Sequence, residues 1–265
     1  MGESIIKVEN IALEFNDEKA TEKRVLSNVT FDIYKNEILG IIGNSGCGKT
    51  VLSLAILGFI ATNGRLIEGT INYNGNNIFT MNKKDLQKYR RNVVSNVFQI
   101  PQESFDPLKT IWSQLLETLS VKNKFLSKKD KYRIICEYLT KVHLEPKDVL
   151  KKYPFQLSGG TLQRIAICSA MLYNPSILIA DEITSSLDIK NQTQIIELLL
   201  EVKAKNNMSI VFITHDIGVA LKICDRVIIM ENGTIIECDS VDIIKKSPKH
   251  DTTRKMIDTF NMLHK

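Results

Sequence analysis

The chain has 265 residues, 43% of them hydrophobic and 25% charged, and carries a formal net charge of +5. That describes a soluble globular protein of one large α/β domain or two small ones. Its short lysine runs, such as Lys128-Lys129-Asp130-Lys131, exclude a nucleic-acid patch, and its five cysteines, none in a C-x-x-C pair, exclude a zinc site or disulfide framework and fit a reducing compartment. The stretch Met1-Gly2-Glu3-Ser4-Ile5-Ile6 does not read as a signal peptide. The longest apolar run, 51–61, is about half the ~20 residues of a membrane span.

In chain order, 5–15 and 25–34 read as antiparallel strands separated by a polar stretch. Ile38-Leu39-Gly40-Ile41-Ile42 is a continuous apolar run, read as a buried strand. It feeds Gly43-Asn44-Ser45-Gly46-Cys47-Gly48-Lys49-Thr50, a full match to the phosphate-loop pattern G-x-x-x-x-G-K-[ST]. Residues 51–57 read as the helix that follows. Strand, loop and helix in this order turn backbone N–H groups onto an anion at a helix N-terminus. Lys49 is placed to reach the terminal phosphates and the Thr50 hydroxyl to ligate Mg²⁺. Cys47 is small enough to fit the loop. The chain is expected to bind a nucleoside triphosphate.

Residues 70–75 give another strand closed by an Asn-Gly turn, 85–91 a short polar helix and 93–98 a strand. From 101 to 173 the spacing turns helical, over 111–119, 129–142 and 161–172, and reads as a helical insertion. The apolar runs 177–180 and 210–213 are expected as central parallel strands, with a helix at 189–205 between them. The first run ends in Asp181-Glu182. The first carboxylate suits Mg²⁺ held through water, and the second can polarise water in line with a γ-phosphate. Residues 226–230 and 234–238 form a hairpin about Glu231-Asn232-Gly233, and the tail after Ser247 reads as polar and helical.

Leu157-Ser158-Gly159-Gly160-Thr161-Leu162-Gln163-Arg164 closely resembles the L-S-G-G-x-x-Q-R signature of ATP-binding-cassette ATPases, at the family's distance ahead of Asp181. A Ser-Gly-Gly opening a helix is a second anion site. The resemblance implies that Ser158, Gly159 and Gly160 serve ATP held by an opposite subunit. It identifies Gln99 as the Q-loop glutamine that touches Mg²⁺ and water, Ser186-Leu187-Asp188 as the D-loop, His215 as the switch histidine on the γ-phosphate, and Phe15 as the candidate aromatic stacking on adenine. Ile183 replaces the usual Pro, Thr161 stands where close relatives often have Met, and Ser186 departs in the D-loop. The implied fold is α/β: a P-loop NTPase (RecA-like) core with an antiparallel β subdomain and an α-helical insertion. The cassette domain spans 1–246, with the helical subdomain at about 101–173 and a tail at 247–265.

Phe98-Gln99-Ile100-Pro101-Gln102-Glu103-Ser104-Phe105-Asp106-Pro107 resembles a segment of peptide and nickel importers. Pro248-Lys249-His250-Asp251-Thr252-Thr253-Arg254 resembles the same branch's post-core element. With Tyr153-Pro154-Phe155-Gln156, and no cysteine-bearing extension before Lys265, the chain is most similar to the first ATPase subunit of a bacterial nickel importer. That resemblance implies hydrolysis of ATP with Mg²⁺ to energise uptake of nickel, free or chelated. Oligopeptide, dipeptide or metallophore import is the alternative, ahead of a soluble non-transport cassette ATPase. The implied partners are two transmembrane permease subunits, a second related ATPase in a heterodimer (a homodimer being the alternative) and, indirectly, an extracytoplasmic solute-binding protein, with no nucleic acid. The implied location is peripheral, on the cytoplasmic face of the inner membrane.

Overall fold

The computed structural model describes residues 2–16, 22–185 and 188–263. The chain divides into two compact units, Met1–Lys88 with Met208–Lys265, and Tyr89–Asn207.

In the first unit, β1 (Ser4–Asn16) pairs antiparallel with β2 (Glu22–Tyr34) and with β4 (Gly64–Tyr73), and β5 (Asn76–Asn77) completes the sheet in the order β2-β1-β4-β5. Ile6, Val8, Ile11, Leu13, Leu26, Val29 and Ile33 are buried from β1 and β2, the inward half of an alternating pattern. β4 starts at Gly64, ahead of the expected 70, because its first residues pair with the distal end of β1, with Leu13 opposite Leu66 and Phe15 opposite Gly64. That partner is distant in sequence, so no local pattern announces it.

The same unit holds β3 (Ile38–Gly43), in which every residue is buried. It lies between β8 (Ser209–Thr214) and β9 (Arg226–Glu231), parallel to both. A strand covered on both faces has no reason to alternate, hence its unbroken apolar run. β10 (Thr234–Ser240) returns antiparallel to β9. Their turn places Asn232 at φ 47° and Gly233 at φ 78°, the paired positive values of the type I′ hairpin expected there. Helices α1 (Lys49–Ile56), α8 (Ile217–Ile223), α9 (Val241–Lys246) and α10 (Asp251–Leu263) belong to this unit.

α2 (Lys83–Asn92) crosses the division along the chain. In the second unit β6 (Val94–Val97) runs parallel to β7 (Ile177–Asp181). Around them stand α3 (Ile111–Lys122), α4 (Lys128–Lys141), α5 (Pro146–Val149), α6 (Gly159–Met171) and α7 (Ile189–Asn206). α6 buries Leu162, Ile165, Ile167, Cys168 and Met171. Full burial of Cys168 drives its thiol pKa far above the ordinary range, so it acts as a small apolar side chain. Arg164 ties α6 to its neighbours through the Val142 carbonyl (3.1 Å) and Gln194 Oε1 (2.8 Å). Among the described residues no helix is long and apolar enough to cross a membrane.

Candidate nucleotide site

The phosphate loop joins β3 to α1 in the first unit. A methyl added at Gly43 would lie 2.4 Å from the Met230 carbonyl oxygen and 2.6 Å from Cys47 Sγ, so only glycine allows the strand to leave the sheet there. Gly48 has φ +104° and is the N-cap of α1, with no side-chain hydrogen bond capping the helix. No acidic residue lies in the first turn. The helix therefore presents its positive end with neither a capping side chain nor an acidic residue of its own first turn. Lys49 is buried, and its ammonium donates to the Gly43 and Asn44 carbonyls at 2.8 and 3.1 Å. Those weak neutral acceptors can be exchanged for phosphate oxygens, with which the bonds become charge-assisted. Asn44, Ser45, Gly46 and Thr50 are exposed. An exposed hydroxyl beside a helix N-terminus fits a phosphate-bound divalent cation. Cys47 fits as expected, buried with its sulfur facing Gly43.

His215 follows β8 in the same unit and is exposed. The turn around it is tightly held. The Asp216 amide donates to Thr214 Oγ1 (3.0 Å), and Asp216 Oδ1 caps α8 by accepting from the Val219 amide (3.1 Å). Phe15 lies half-buried on β1, its ring against the Gly64 backbone.

The second unit carries the remaining candidates. Asp181 ends β7 and is 4% exposed. Glu182 follows in the left-handed region at φ +49°. A side chain with a Cβ adopts that conformation at a cost, and such outliers gather at functional sites. Gln99 is exposed after β6, and its Nε2 donates to Ser185 Oγ at 3.1 Å. Ser185 Oγ in turn donates to the Glu182 carbonyl at 2.9 Å, and the Ser185 amide does so at 3.1 Å. Ser185 therefore joins the two residues expected to meet water. Sequence reasoning missed it. The one available signal was a serine three residues after an acid at a strand end, the pattern of a local side-chain turn.

Ser158 caps α6, its Oγ accepting from the Thr161 amide at 3.3 Å and lying 2.8 Å from Thr161 Oγ1. The departure at Thr161 thus adds a hydroxyl partner to the signature serine. Gly159 and Gly160 are half-exposed, with Asn191 beside Gly160. Ser186 and Leu187 of the expected D-loop lie outside the described residues. Asp188 caps α7, and hydrogen bonds from the Asn191 backbone and side chain hold its carboxyl below the usual range.

A family model described as ABC transporter matches residues 26–185. The chain is 36% identical over 258 residues to the dipeptide transport ATP-binding protein DppD of Lactococcus lactis, covering 97% of this chain and 74% of that protein. It is 35% identical over 241 residues to the metal-staphylopine import system ATP-binding protein CntD of Staphylococcus aureus, covering 90% and 88%. The fold is similar to an ATP-binding cassette solved as a dimer in a post-hydrolysis state bound to ADP and Pi. There the TM-score is 0.78 at 28% identity, with 89% of this chain and 98% of that one covered. The α/β cassette fold expected from the motifs is thus the observed one, and the chain belongs to the ABC transporter family as one of its ATPases.

Proposed function

We propose that this chain is the ATP-hydrolysing subunit of an importer that takes up dipeptides or oligopeptides. The observation that carries the reading is the 36% identity, over nearly the whole chain, to a dipeptide transport ATP-binding protein. Nickel, expected from the resemblance of short segments, gives way here to its alternative. A second reading, uptake of a metal-bound small-molecule chelator, is favoured by the similar identity to the metal-staphylopine protein and the larger share of that protein matched.

In this reading Lys49 and the amides at the start of α1 hold the β- and γ-phosphates. Thr50, Asp181 and Gln99 hold Mg²⁺, which neutralises phosphate charge when bound. Glu182 takes the proton of the attacking water, and His215 steadies the γ-phosphate. Phe15 stacks on adenine. Ser158, Gly159 and Gly160 contact nucleotide held by a second, related ATPase, in keeping with the dimeric state of the similar cassette. Catalysis is then mostly positioning and charge stabilisation. Phe98 and Ile100, both exposed beside Gln99, offer apolar surface to one of two membrane permeases, with the chain peripheral on the cytoplasmic face of the inner membrane. An extracytoplasmic binding protein delivers the cargo. Residues 1–246 form the cassette and 247–265 its tail.

Deleting the gene tests the cargo. Loss of growth on peptides as sole amino-acid source, with normal cellular nickel, supports the peptide reading. Normal peptide growth with lowered nickel overturns it.

A further inference from the structure

The C-terminal tail has no part in the chemistry assigned above, yet it is fastened to the first unit at several points. Glu237 on β10 is buried, at 6% exposure, and its two carboxylate oxygens accept the amides of Lys249 (2.9 Å) and His250 (3.2 Å). The Lys249 ammonium reaches Asp239 at 3.1 Å. Thr252 Oγ1 donates to Glu231 Oε1 at 3.0 Å, and the Thr252 amide to His250 Nδ1 at 3.2 Å. These bonds set where α10 begins. From there Thr253, Ile257 and Phe260 follow at helical spacing, the first two buried. The Phe260 ring lies directly over Gly218, where an added methyl would stand 2.7 Å from a ring carbon. Gly218 is in the first turn of α8, the turn capped by Asp216, the residue after His215.

We propose that residues 248–260 brace the turn that carries His215, with Phe260 and Glu237 as positioning residues for ATP hydrolysis. This rests on the reading that His215 acts on the γ-phosphate. The brace works through α8. Phe260 sets the height of the first turn against the core, the Asp216 cap fixes that turn to Thr214, and His215 is held between them. Glu237 fixes the start of α10 and so the reach of Phe260.

The test is a double-mutant cycle on the 265-residue chain, reading kcat and KM for Mg·ATP alongside thermal melting. Phe260→Ala is expected to lower kcat about three- to tenfold, the scale of a modest misplacement, with KM changed less than twofold. Glu237→Gln keeps the shape and removes the charge that holds the tail, and is expected to act in the same direction. In a His215→Ala background both substitutions are expected to change turnover less than twofold, because their target is gone. Turnover unaffected by both variants overturns the brace. So does a loss that persists undiminished beside His215→Ala, which would mark a general structural role. If His215→Ala alone leaves turnover unchanged, the assignment of His215 fails first and takes the brace with it.

Discussion

Two helices of this chain start at glycine-bearing loops, and they are finished in opposite ways. α1 begins at Gly48, which has no side chain to cap it, and next to it is a buried ammonium resting on the loop's own carbonyls. α6 begins at Ser158, which already caps the helix and shares its hydroxyl with Thr161, while Gly159 and Gly160 stay half-exposed. An uncapped helix start beside a buried cation gains most from an anion brought by a ligand. A self-capped, open one is stable without a ligand and takes an anion by trading bonds it already has. The first suits the proposed role of holding nucleotide within one chain. The second suits nucleotide that arrives on a neighbour and leaves again, as the proposed pairing of two cassettes requires.

Substituting the buried cation strikes this contrast hardest. Lys49→Ala is expected to abolish tight ATP binding and turnover together, since the ammonium is the side-chain charge assigned to the phosphates. Wild-type nucleotide binding by calorimetry in that variant would mean that α1 is not the holding site. Glu182→Gln separates holding from chemistry. ATP binding should persist while hydrolysis slows by two or more orders of magnitude, about the loss of a positioned base. Unchanged phosphate release would remove Glu182 from the mechanism.

Ser158→Gly addresses the second helix. Glycine is a tolerated cap, costing only a few tenths of a kcal/mol, so melting should barely move. ATP affinity of the dilute chain should also hold, while turnover at high chain concentration falls about tenfold. Equal loss at every concentration would argue that Ser158 serves its own chain's nucleotide. The smallest expected effect is at Thr161. Thr161→Val frees the Ser158 hydroxyl from one partner, worth about 1 kcal/mol. The chain concentration needed for half-maximal turnover should then drop by a few fold, measured by titrating protein at fixed Mg·ATP. A rise instead would show that Thr161 presents Ser158 rather than occupies it.

Much of this was legible in the residues themselves. The phosphate loop, the paired carboxylates and the two Asn-Gly turns are local patterns, and local patterns fix backbone conformation over a few residues. The fully buried strands β3, β7 and β8 were readable because burial on both faces leaves an unbroken apolar run. The early start of β4 was not readable, because it depends on pairing with a distant strand. Nor was the link from Gln99 through Ser185 to Glu182, which bridges 86 positions in its first bond. An exposed serine after a turn looks the same in sequence whether or not a distant amide reaches it.

By itself, then, the sequence determined the kind of chemistry. A glycine loop followed by Lys49-Thr50, a strand ending in Asp181-Glu182 and the Ser158-Gly159-Gly160 turn each carry their meaning in neighbouring residues, because a loop's reach is set by covalent geometry and φ/ψ limits. Only the tertiary structure decided how those groups are held. The Gln99 amide on the Ser185 hydroxyl, the Met230 carbonyl against Gly43 and the Phe260 ring over Gly218 all depend on close packing. Close packing joins residues far apart in the chain, at distances that no spacing along it encodes.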